Sequence, residues 1–321
     1  MSTRLISTSK SEVRKMSAME LKRSIQASEG RVVLSQCYVG SHPLLEGTTN
    51  PELAEAFGAD MVFFNGYPMD DSKIPAFQGQ VNNGEGWEPF DYRLKEMKEL
   101  TNGPLGIYLE CGAGDDPTTS TSQGKQLVRT NRIASEENLK KLLDEEADFV
   151  VLAGNPGTGT KLEDIVEATR LAKKVLGDEV MIWSGKWEDG VDEKVLGDPL
   201  ATFDHKDIIS KLIDAGADVI CLPMPGSRTG ITVDMIRDLV EFTHRYKPGT
   251  LAMSFLDGSV EGADEDTIRL CTLMSKQTGA DIHAIGDAGC SGMSTPENIY
   301  QMAITLKGRR LTWYKLASGK R

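Results

Sequence analysis

The chain has 321 residues, 39% hydrophobic and 26% charged, a composition typical of a globular protein large enough to bury a substantial core. Its formal net charge of −12 argues against DNA, RNA or an anionic membrane surface as the main partner. The sequence shows neither an apolar run that would span a bilayer nor the apolar centre of a signal peptide. The five cysteines form no Cys-x-x-Cys pair, so we expect a reducing, cytoplasmic environment without disulfides.

A partly amphipathic helical pattern precedes the first predicted strand, with Val13, Met16, Leu21 and Ile25 among its apolar positions. We expect residues 1–30 to form a helical extension. Its apolar face predicts that the helix either plugs the base of the fold or packs on another subunit.

From residue 31 onwards, short β-rich apolar runs alternate with Gly-containing loops and amphipathic helical patterns. The predicted strands are Val32–Cys37, Met61–Asn65, Leu105–Cys111, Phe149–Ala153, Val180–Ser184, Val219–Pro223, Leu251–Leu256 and Ile282–Ile285. This alternation predicts an α/β fold with a parallel sheet, and at this length a single (βα)8 TIM barrel over residues 31–321. A doubly wound open sheet is the structural alternative. A short extended tail, Leu311–Leu316, is expected after the last helix.

Several predicted helices end in a similar way, with glycine followed by alanine and aspartate in three cases and with alanine and aspartate alone in a fourth. Glycine ends a helix because it adopts the left-handed cap without a Cβ penalty. Turns this short belong at the amino-terminal end of the barrel strands, where they contribute stability rather than chemistry. The aspartates concerned are Asp60, Asp148, Asp218 and Asp281.

The loops at 66–90 and 112–134 are long and polar, and each follows a predicted strand. Loops of this length in a compact domain usually act as lids or binding loops. We therefore expect both on the catalytic face, with simple surface insertions as the alternative.

Chemistry in such barrels occurs where strands end and the following loops begin. Glu110, Asp257 and Asp287 supply carboxylates from three strand ends, which suits general acid–base catalysis or a divalent cation such as Mg²⁺. Lys186 could act as a Schiff-base lysine or a counter-ion, and an ordinary surface lysine is the alternative. Four further residues are expected to line the same site: Cys37, His42, Asn65 and Asn155.

The last strand leads into a glycine-rich loop and a helix that begins at Pro296. Such a helix start presents free N–H groups and the positive end of its dipole to a phosphate. We expect an anion to bind here, with Arg228 as a bidentate clamp; a turn without ligand is the alternative, and the loop at 154–160 is a second candidate. The predicted phosphate-binding residues are Gly258, Gly286, Gly289, Ser291, Gly292 and Arg228.

Two segments resemble the ribulose-phosphate-binding barrel superfamily, and within it the BtpA-like proteins. They are the Gly-Thr-Gly loop after the fourth strand and the closing run of Gly-Asp-Ala-Gly and Thr-Pro-Glu-Asn-Ile, within residues 149–306. The resemblance implies a phosphorylated small-molecule ligand. A shorter run, Trp187-Glu188-Asp189-Gly190, resembles the phosphoenolpyruvate mutase and isocitrate lyase barrels, and no residue role is carried over from it.

Together these features predict an enzyme acting on a phosphorylated sugar or related metabolite, either an aldolase-type lyase or an isomerase or epimerase. A phosphohydrolase, with or without a metal, is one alternative. A catalytically silent barrel that binds a phosphorylated metabolite or assists assembly is another. The amphipathic extension and the apolar tail further predict a homo-oligomer, most simply a dimer.

Overall fold

The computed structural model of the protein describes residues 3–82, 84, 86–112 and 130–318. Eight parallel strands close into one barrel in chain order, which confirms the predicted (βα)8 architecture. The strands are β1 (Val32–Tyr38), β2 (Met61–Asn65), β5 (Leu105–Glu110), β6 (Phe149–Ala153), β7 (Met181–Gly185), β8 (Val219–Pro223), β9 (Leu251–Leu256) and β10 (Ile282–Ile285), with β3 (Gln78–Asn82) and β4 (Trp87–Asp91) forming a separate antiparallel hairpin.

Helices alternate with the barrel strands and cover their outer face. They begin with short polar caps; for example, Ser17 and Glu20 form a capping box at the start of α2. The helices are α1 (Lys10–Val13), α2 (Ala18–Ala27), α3 (Asn50–Ala56), α4 (Leu94–Leu100), α5 (Glu136–Asp144), α6 (Leu162–Leu176), α7 (His205–Ala215), α8 (Val233–Tyr246), α9 (Glu265–Thr278) and α10 (Pro296–Ser318). None of the described helices is long and apolar enough to cross a membrane.

The N-terminal extension closes the amino-terminal end of the barrel. Leu21 and Ile25 are buried, and they belong to the same apolar cluster as Val32, Met181 and Ile282 at the strand starts. Of the two arrangements predicted for this segment, the structure shows the plug. Its apolar face therefore needs no second subunit to cover it.

The four predicted aspartate turns lie at this same end and share one geometry. Each aspartate carboxylate accepts a hydrogen bond from the N–H of a residue in the preceding barrel strand. The aspartate's own N–H donates to the carbonyl oxygen of that same residue. Each also pairs with a cationic or ionisable side chain. The strand residue and side-chain partner are Val33 and Lys307 for Asp60, Leu105 and Lys98 for Asp148, Ile182 and Lys22 for Asp218, and Ala252 and His244 for Asp281.

The predicted loop at 66–90 leaves the carboxyl end of β2 but carries its own structure. Phe77 packs edge-on against Phe64 at 4.8 Å in the layer outside the barrel, and the Ala76 N–H donates to the Val39 carbonyl oxygen. The hairpin of β3 and β4 follows. This part of the segment therefore packs beside the barrel instead of forming an irregular lid. Most of the second predicted loop, residues 113–129, lies outside the described residues.

The predicted extended tail at 311–316 is wrong, because the chain remains helical to Ser318. Gly308, at φ 69°, breaks the helix axis, after which the last turns fold back against the N-terminal segment. Lys315 donates to the carbonyl oxygens of Leu5 and Thr8 at 3.3 and 3.0 Å. These long-range contacts override the strand propensity of the aromatic residues in the tail.

Candidate active site at the carboxyl ends of the strands

Four acidic side chains converge at the mouth of the barrel, the opening at the carboxyl ends of its strands. We call Glu188, Asp257, Glu261 and Asp287 the carboxyl cluster. The structure thus brings together Asp257 and Asp287, which the sequence predicted, with Glu188 and Glu261, which it did not. Glu188 follows β7, and Glu261 lies in a short 3-10 turn after β9. Glu188 is 6% exposed and Glu261 is 5% exposed.

Asp257 lies at the centre of this cluster, because Glu188 and Glu261 both form carboxyl–carboxyl hydrogen bonds with it. Burial raises the pKa of Glu188 well above its ordinary value and that of Glu261 to about 9, and the negative charge of Asp257 raises both further. Both effects favour the protonated form of each glutamic acid. Those protons supply donors that Asp257 Oδ2 and Glu261 Oε2 would otherwise lack.

Other polar groups extend the network across the mouth. The Tyr108 hydroxyl donates to Glu188 Oε1 at 3.2 Å, and the Ala288 N–H donates to Glu261 Oε1 at 3.0 Å. Gln36, on β1, donates to Asp287 Oδ2 at 2.6 Å. The hydrogen-bonded network thus includes side chains from β1 and β5 as well as from the loops after β7, β9 and β10.

Glu110 forms a second acidic position with two other predicted residues. It is 7% exposed and accepts the backbone N–H of Asn155 at 2.9 Å and a hydrogen bond from the Asn155 side chain. Asn155 and Asn65 exchange amide hydrogen bonds of 2.8 and 3.0 Å. Burial raises the pKa of Glu110 to about 7, although the hydrogen bonds from Asn155 oppose the shift. This carboxyl group can therefore gain or lose a proton near neutral pH.

Aromatic side chains pack next to the acids and shield them from solvent. Trp187 is fully buried and meets the ring of Phe255 at 5.0 Å and that of Tyr108 at 6.2 Å, both edge-on. Its indole Nε1 is buried without a hydrogen-bond partner in the described residues. Such low-polarity surroundings disfavour charge, which explains why burial is the main cause of the raised pKa values.

Lys186 lies directly after β7, at the predicted strand end, and its ammonium is held by a backbone oxygen. Its ammonium donates to the Thr160 carbonyl oxygen at 2.6 Å, in the loop that leads to α6. The residue is 2% exposed, and burial lowers its pKa. No salt bridge joins it to a carboxylate within the described residues, although the charges of nearby acids, Glu188 among them, act on it.

Carboxylates of the chain itself accept hydrogen bonds from two of the N–H groups in the predicted phosphate loops. The Gly258 N–H donates to Asp257 Oδ1 at 2.7 Å, and the Gly289 N–H donates to Asp287 Oδ1 at 2.9 Å. The Gly286 N–H is part of the barrel sheet through the Leu256 carbonyl oxygen. A phosphate bound to these groups would have to displace two carboxylates of the same charge sign.

Close packing explains two of the glycines in these loops, Gly286 and Gly292. A Cβ at Gly286 would lie 2.7 Å from the Glu261 carboxyl carbon, and one at Gly292 would lie 2.4 Å from the Tyr38 carbonyl oxygen. Ser291 contributes its carbonyl oxygen to the Asn50 side-chain amide at 2.7 Å. These residues bring the last loop close to β1, so that Asp287 can reach Gln36.

Two arginines reach the mouth from separate loops. Arg228, which was predicted, has Nη2 3.5 Å from Asp257 Oδ2, and its guanidinium lies beside Gly258. Arg132, which sequence reasoning missed, lowers the pKa of Glu110 by its charge and has Nη1 near Gly66. The Nε of each is buried and has no hydrogen-bond partner within the described part of the chain.

Two predicted lining residues lie away from the carboxyl cluster. Cys37 is buried in the layer between strands and helices, and burial raises the pKa of its thiol. His42 lines a separate cavity of about 320 Å³ between the loop after β1 and the β3–β4 hairpin. Alternation along β1 explains the first case, since Gln36 faces the barrel axis and its neighbour faces outward.

No group of three or more His, Cys, Asp or Glu residues in the described ranges is arranged to hold a metal ion. The acids of the carboxyl cluster are instead directed at one another and at backbone N–H groups. The divalent cation considered from the sequence therefore has no ligand set among these residues.

The closed barrel, with polar side chains gathered at the carboxyl ends of its strands, has the architecture found in TIM-barrel enzymes. The chain belongs to the family described as a domain of unknown function, DUF7916, which matches residues 6–321. No curated protein matches the sequence significantly. The resemblance to BtpA-like proteins therefore remains a prediction.

Solved structures similar to this chain include pyruvate carboxylase from Rhizobium etli. Its carboxyl transferase domain aligns with a TM-score of 0.51 and 12% identity over 96% of this chain and 51% of that one. The same domain with pyruvate and biocytin gives 0.52 and 11% over 96% and 52%. The form with 3-hydroxypyruvate gives 0.52 and 11% over 99% and 52%. The chain thus spans about half the length of these structures, and the similarity shows a shared fold.

Proposed function

We propose that this protein is an acid–base enzyme, an isomerase or lyase, that moves a proton at a carbon beside a carbonyl group of a small anionic metabolite, such as a phosphorylated sugar. The observation that carries the proposal is the position of Asp257, a carboxyl group hydrogen-bonded to two buried glutamic acids whose pKa values are raised. One dry site thus combines a proton acceptor with two proton donors.

The chemistry follows from this pairing. A carboxylate, Asp257 or Glu110, takes the proton from the carbon, and the electron pair moves towards the carbonyl oxygen. Glu188 or Glu261 donates its proton to that oxygen, so no free enolate charge accumulates. Each such transfer typically accelerates a reaction by about 10²- to 10⁴-fold. Returning a proton to the neighbouring carbon, while the hydroxyl on that carbon loses its proton to a carboxylate, completes an isomerisation. In a lyase reaction the enol proton returns to the carboxylate, the electron pair expels a leaving group from the next carbon, and the second glutamic acid protonates that group.

The site supports this route better than a Schiff base. Lys186 is held by the Thr160 carbonyl oxygen, outside the hydrogen-bonded network of the acids. A covalent route would require Lys186 to give up that contact and lose a proton. Acid–base transfer needs no such rearrangement.

The glycine-rich loops are poor anion sites in this arrangement. Besides the loops after β9 and β10, the start of α6 has its N–H groups bound by acids: Lys161 donates to Asp164 at 2.8 Å and Leu162 to Glu193 at 2.7 Å. The guanidinium groups at the mouth are therefore stronger candidates for binding an anionic substrate than these N–H groups.

Hydrogen–deuterium exchange tests the proposal directly. The protein is incubated in deuterated buffer with a panel of phosphorylated sugars and 2-oxo acids, and loss of the proton next to the carbonyl is followed by NMR. We expect exchange with at least one compound, reduced by about 10²-fold or more in Asp257→Asn or Glu110→Gln. Glu136→Gln, on the exposed face of α5, is the matched control.

Two results would contradict the proposal. One is an absence of exchange with every compound on the panel that binds. The other is exchange at the wild-type rate in both carboxyl variants, which would place the chemistry elsewhere. Thermal unfolding of each variant separates lost chemistry from lost folding.

A further inference from the structure

We infer that the substrate carries an anionic group at each end, and that Arg132 and Arg228 hold these groups from opposite sides of the mouth. This inference rests on the proposed function and narrows its substrate class to short metabolites with two anionic groups. It follows from the two guanidinium groups, their incomplete pairing and their positions around the barrel.

Arg228 is incompletely paired despite its position beside an acid. Its one described ion pair, with Asp257, has a long separation of 3.5 Å, and its Nε is buried without a hydrogen-bond partner in the described residues. Gly258 lies beside the guanidinium, and a Cβ there would come within 3.6 Å of it. The absence of a side chain at this position leaves space beside the guanidinium, where an oxyanion can bind in the bidentate manner that arginine favours.

Arg132 occupies a comparable position in the other half of the barrel. It follows β5, and its charge acts on Glu110, where it lowers the pKa that burial raises. Its Nη1 lies 3.5 Å from where a Cβ would stand at Gly66, the first residue after β2. Like Arg228, it has a buried Nε without a partner in the described part of the chain.

Strand order places the two arginines opposite one another. Arg132 reaches the mouth beside β2 and β5, whereas Arg228 does so beside β8 and β9. In the closed order, β2 and β8 are four strands apart in either direction, as are β5 and β9. An eight-stranded barrel is just wide enough for side chains to fill its interior, so a short molecule can reach both groups.

The acids lie between the two arginines in this arrangement. Glu110 is near Arg132, and Asp257 is near Arg228, with Glu188 hydrogen-bonded to Asp257. A substrate held at both ends would present its middle carbons to the proton donors and acceptors. A ligand with one anionic group would leave one guanidinium group without an anionic partner.

Matched ligand pairs test the inference by calorimetric titration. Glycerol 3-phosphate and 3-phosphoglycerate differ in whether the second end is anionic, as do fructose 6-phosphate and fructose 1,6-bisphosphate. In at least one pair we expect the compound with two anionic ends to bind roughly 10- to 100-fold more tightly, as one extra charge-assisted contact provides. Arg132→Gln and Arg228→Gln should each remove most of that difference. Arg170→Gln, on the exposed face of α6, should retain it.

Two outcomes overturn the inference: equal binding within both pairs, or an unchanged preference in either arginine variant. Arg132→Lys and Arg228→Lys keep the charge but lose the bidentate geometry, and should show an intermediate preference if the variants are folded.

Deuterium exchange separates this inference from the proposed function. If deuterium exchange depends on Asp257 and Glu110 but persists in either arginine variant, only the inference of a two-anion substrate is refuted. If ligands with two anionic ends bind more tightly but deuterium exchange does not depend on Asp257 or Glu110, the proposed acid–base chemistry is refuted.

Discussion

Lys307 and Asp60 form an ion pair from which solvent is fully excluded, with Nζ 2.8 Å from Oδ2 and both side chains 0% exposed. The same oxygen accepts the Val33 N–H at 2.8 Å, and the ammonium also donates to the Gly58 carbonyl oxygen. The pair thus ties α10 to the turn before β2. It closes the side of the barrel where the last helix meets the first strands.

Lys307→Met should destabilise the protein by about 3–5 kcal/mol, because it leaves the Asp60 charge buried without its partner. Urea unfolding measures the change. The control is Lys140→Met, which removes an exposed lysine paired with Glu136 and should have little effect. A loss below about 1 kcal/mol for Lys307→Met would show that water or another group compensates Asp60.

Asp148→Ala tests whether the other aspartate turns act in the same structural way. The substitution leaves the Leu105 N–H without its acceptor and Lys98 without its carboxylate. We expect a loss of about 1–3 kcal/mol in unfolding free energy, as for a buried donor left unsatisfied. Asp144→Ala, at the exposed end of α5, is the matched control. Equal stability of the two variants would contradict a structural role for the turn.

These turns show why the fold could be predicted so fully. Apolar runs and glycine stops are local signals, so five of the eight barrel strands have the predicted bounds, among them Met61–Asn65 and Ile282–Ile285. The β3–β4 hairpin was missed because Pro89 and the polar residues around it are typical of a loop. The C-terminal tail was misjudged because contacts such as Lys315 with Thr8 join distant parts of the chain.

Lys186 provides a test between the two catalytic routes. If substrate carbonyl chemistry proceeds without a Schiff base, borohydride added during turnover should leave the mass of the protein unchanged. The physical reason is that the Lys186 ammonium is bound to the Thr160 carbonyl oxygen and is 2% exposed. Intact-protein mass spectrometry measures the outcome. A reduced adduct mapped to Lys186 would show that the lysine enters the mouth and forms the intermediate.

The site was less predictable than the fold for a physical reason. Glu110, Asp257 and Asp287 lie at or within two residues of strand ends, where position alone predicts that they reach the mouth. Glu188 lies three residues beyond β7, and Glu261 lies in a separate turn. Their importance comes from burial next to Asp257, a property of the three-dimensional packing that no local pattern shows. The same holds for Arg132, whose nearest candidate partners are distant in sequence.

The pH dependence of stability should reveal the protonated state of Glu261. Burial raises its pKa to about 9, whereas the unfolded chain has the ordinary value of 4.5. Between these two values the folded state binds more protons than the unfolded state, so this group makes the free energy of unfolding fall as pH rises. Below and above that window its contribution no longer changes with pH.

Glu261→Gln should remove this dependence, because glutamine resembles the protonated acid and does not titrate. Its amide can donate to Asp257 and still accept the Ala288 N–H. Urea unfolding at pH 5, 7 and 9 should therefore show the variant gaining stability relative to the wild type as pH increases. Glu99→Gln, whose parent side chain is 82% exposed, should run parallel to the wild type. If Glu261→Gln also runs parallel, the pKa of Glu261 is not raised in the folded protein, and Glu188 is then the one remaining proton donor of the two proposed beside Asp257.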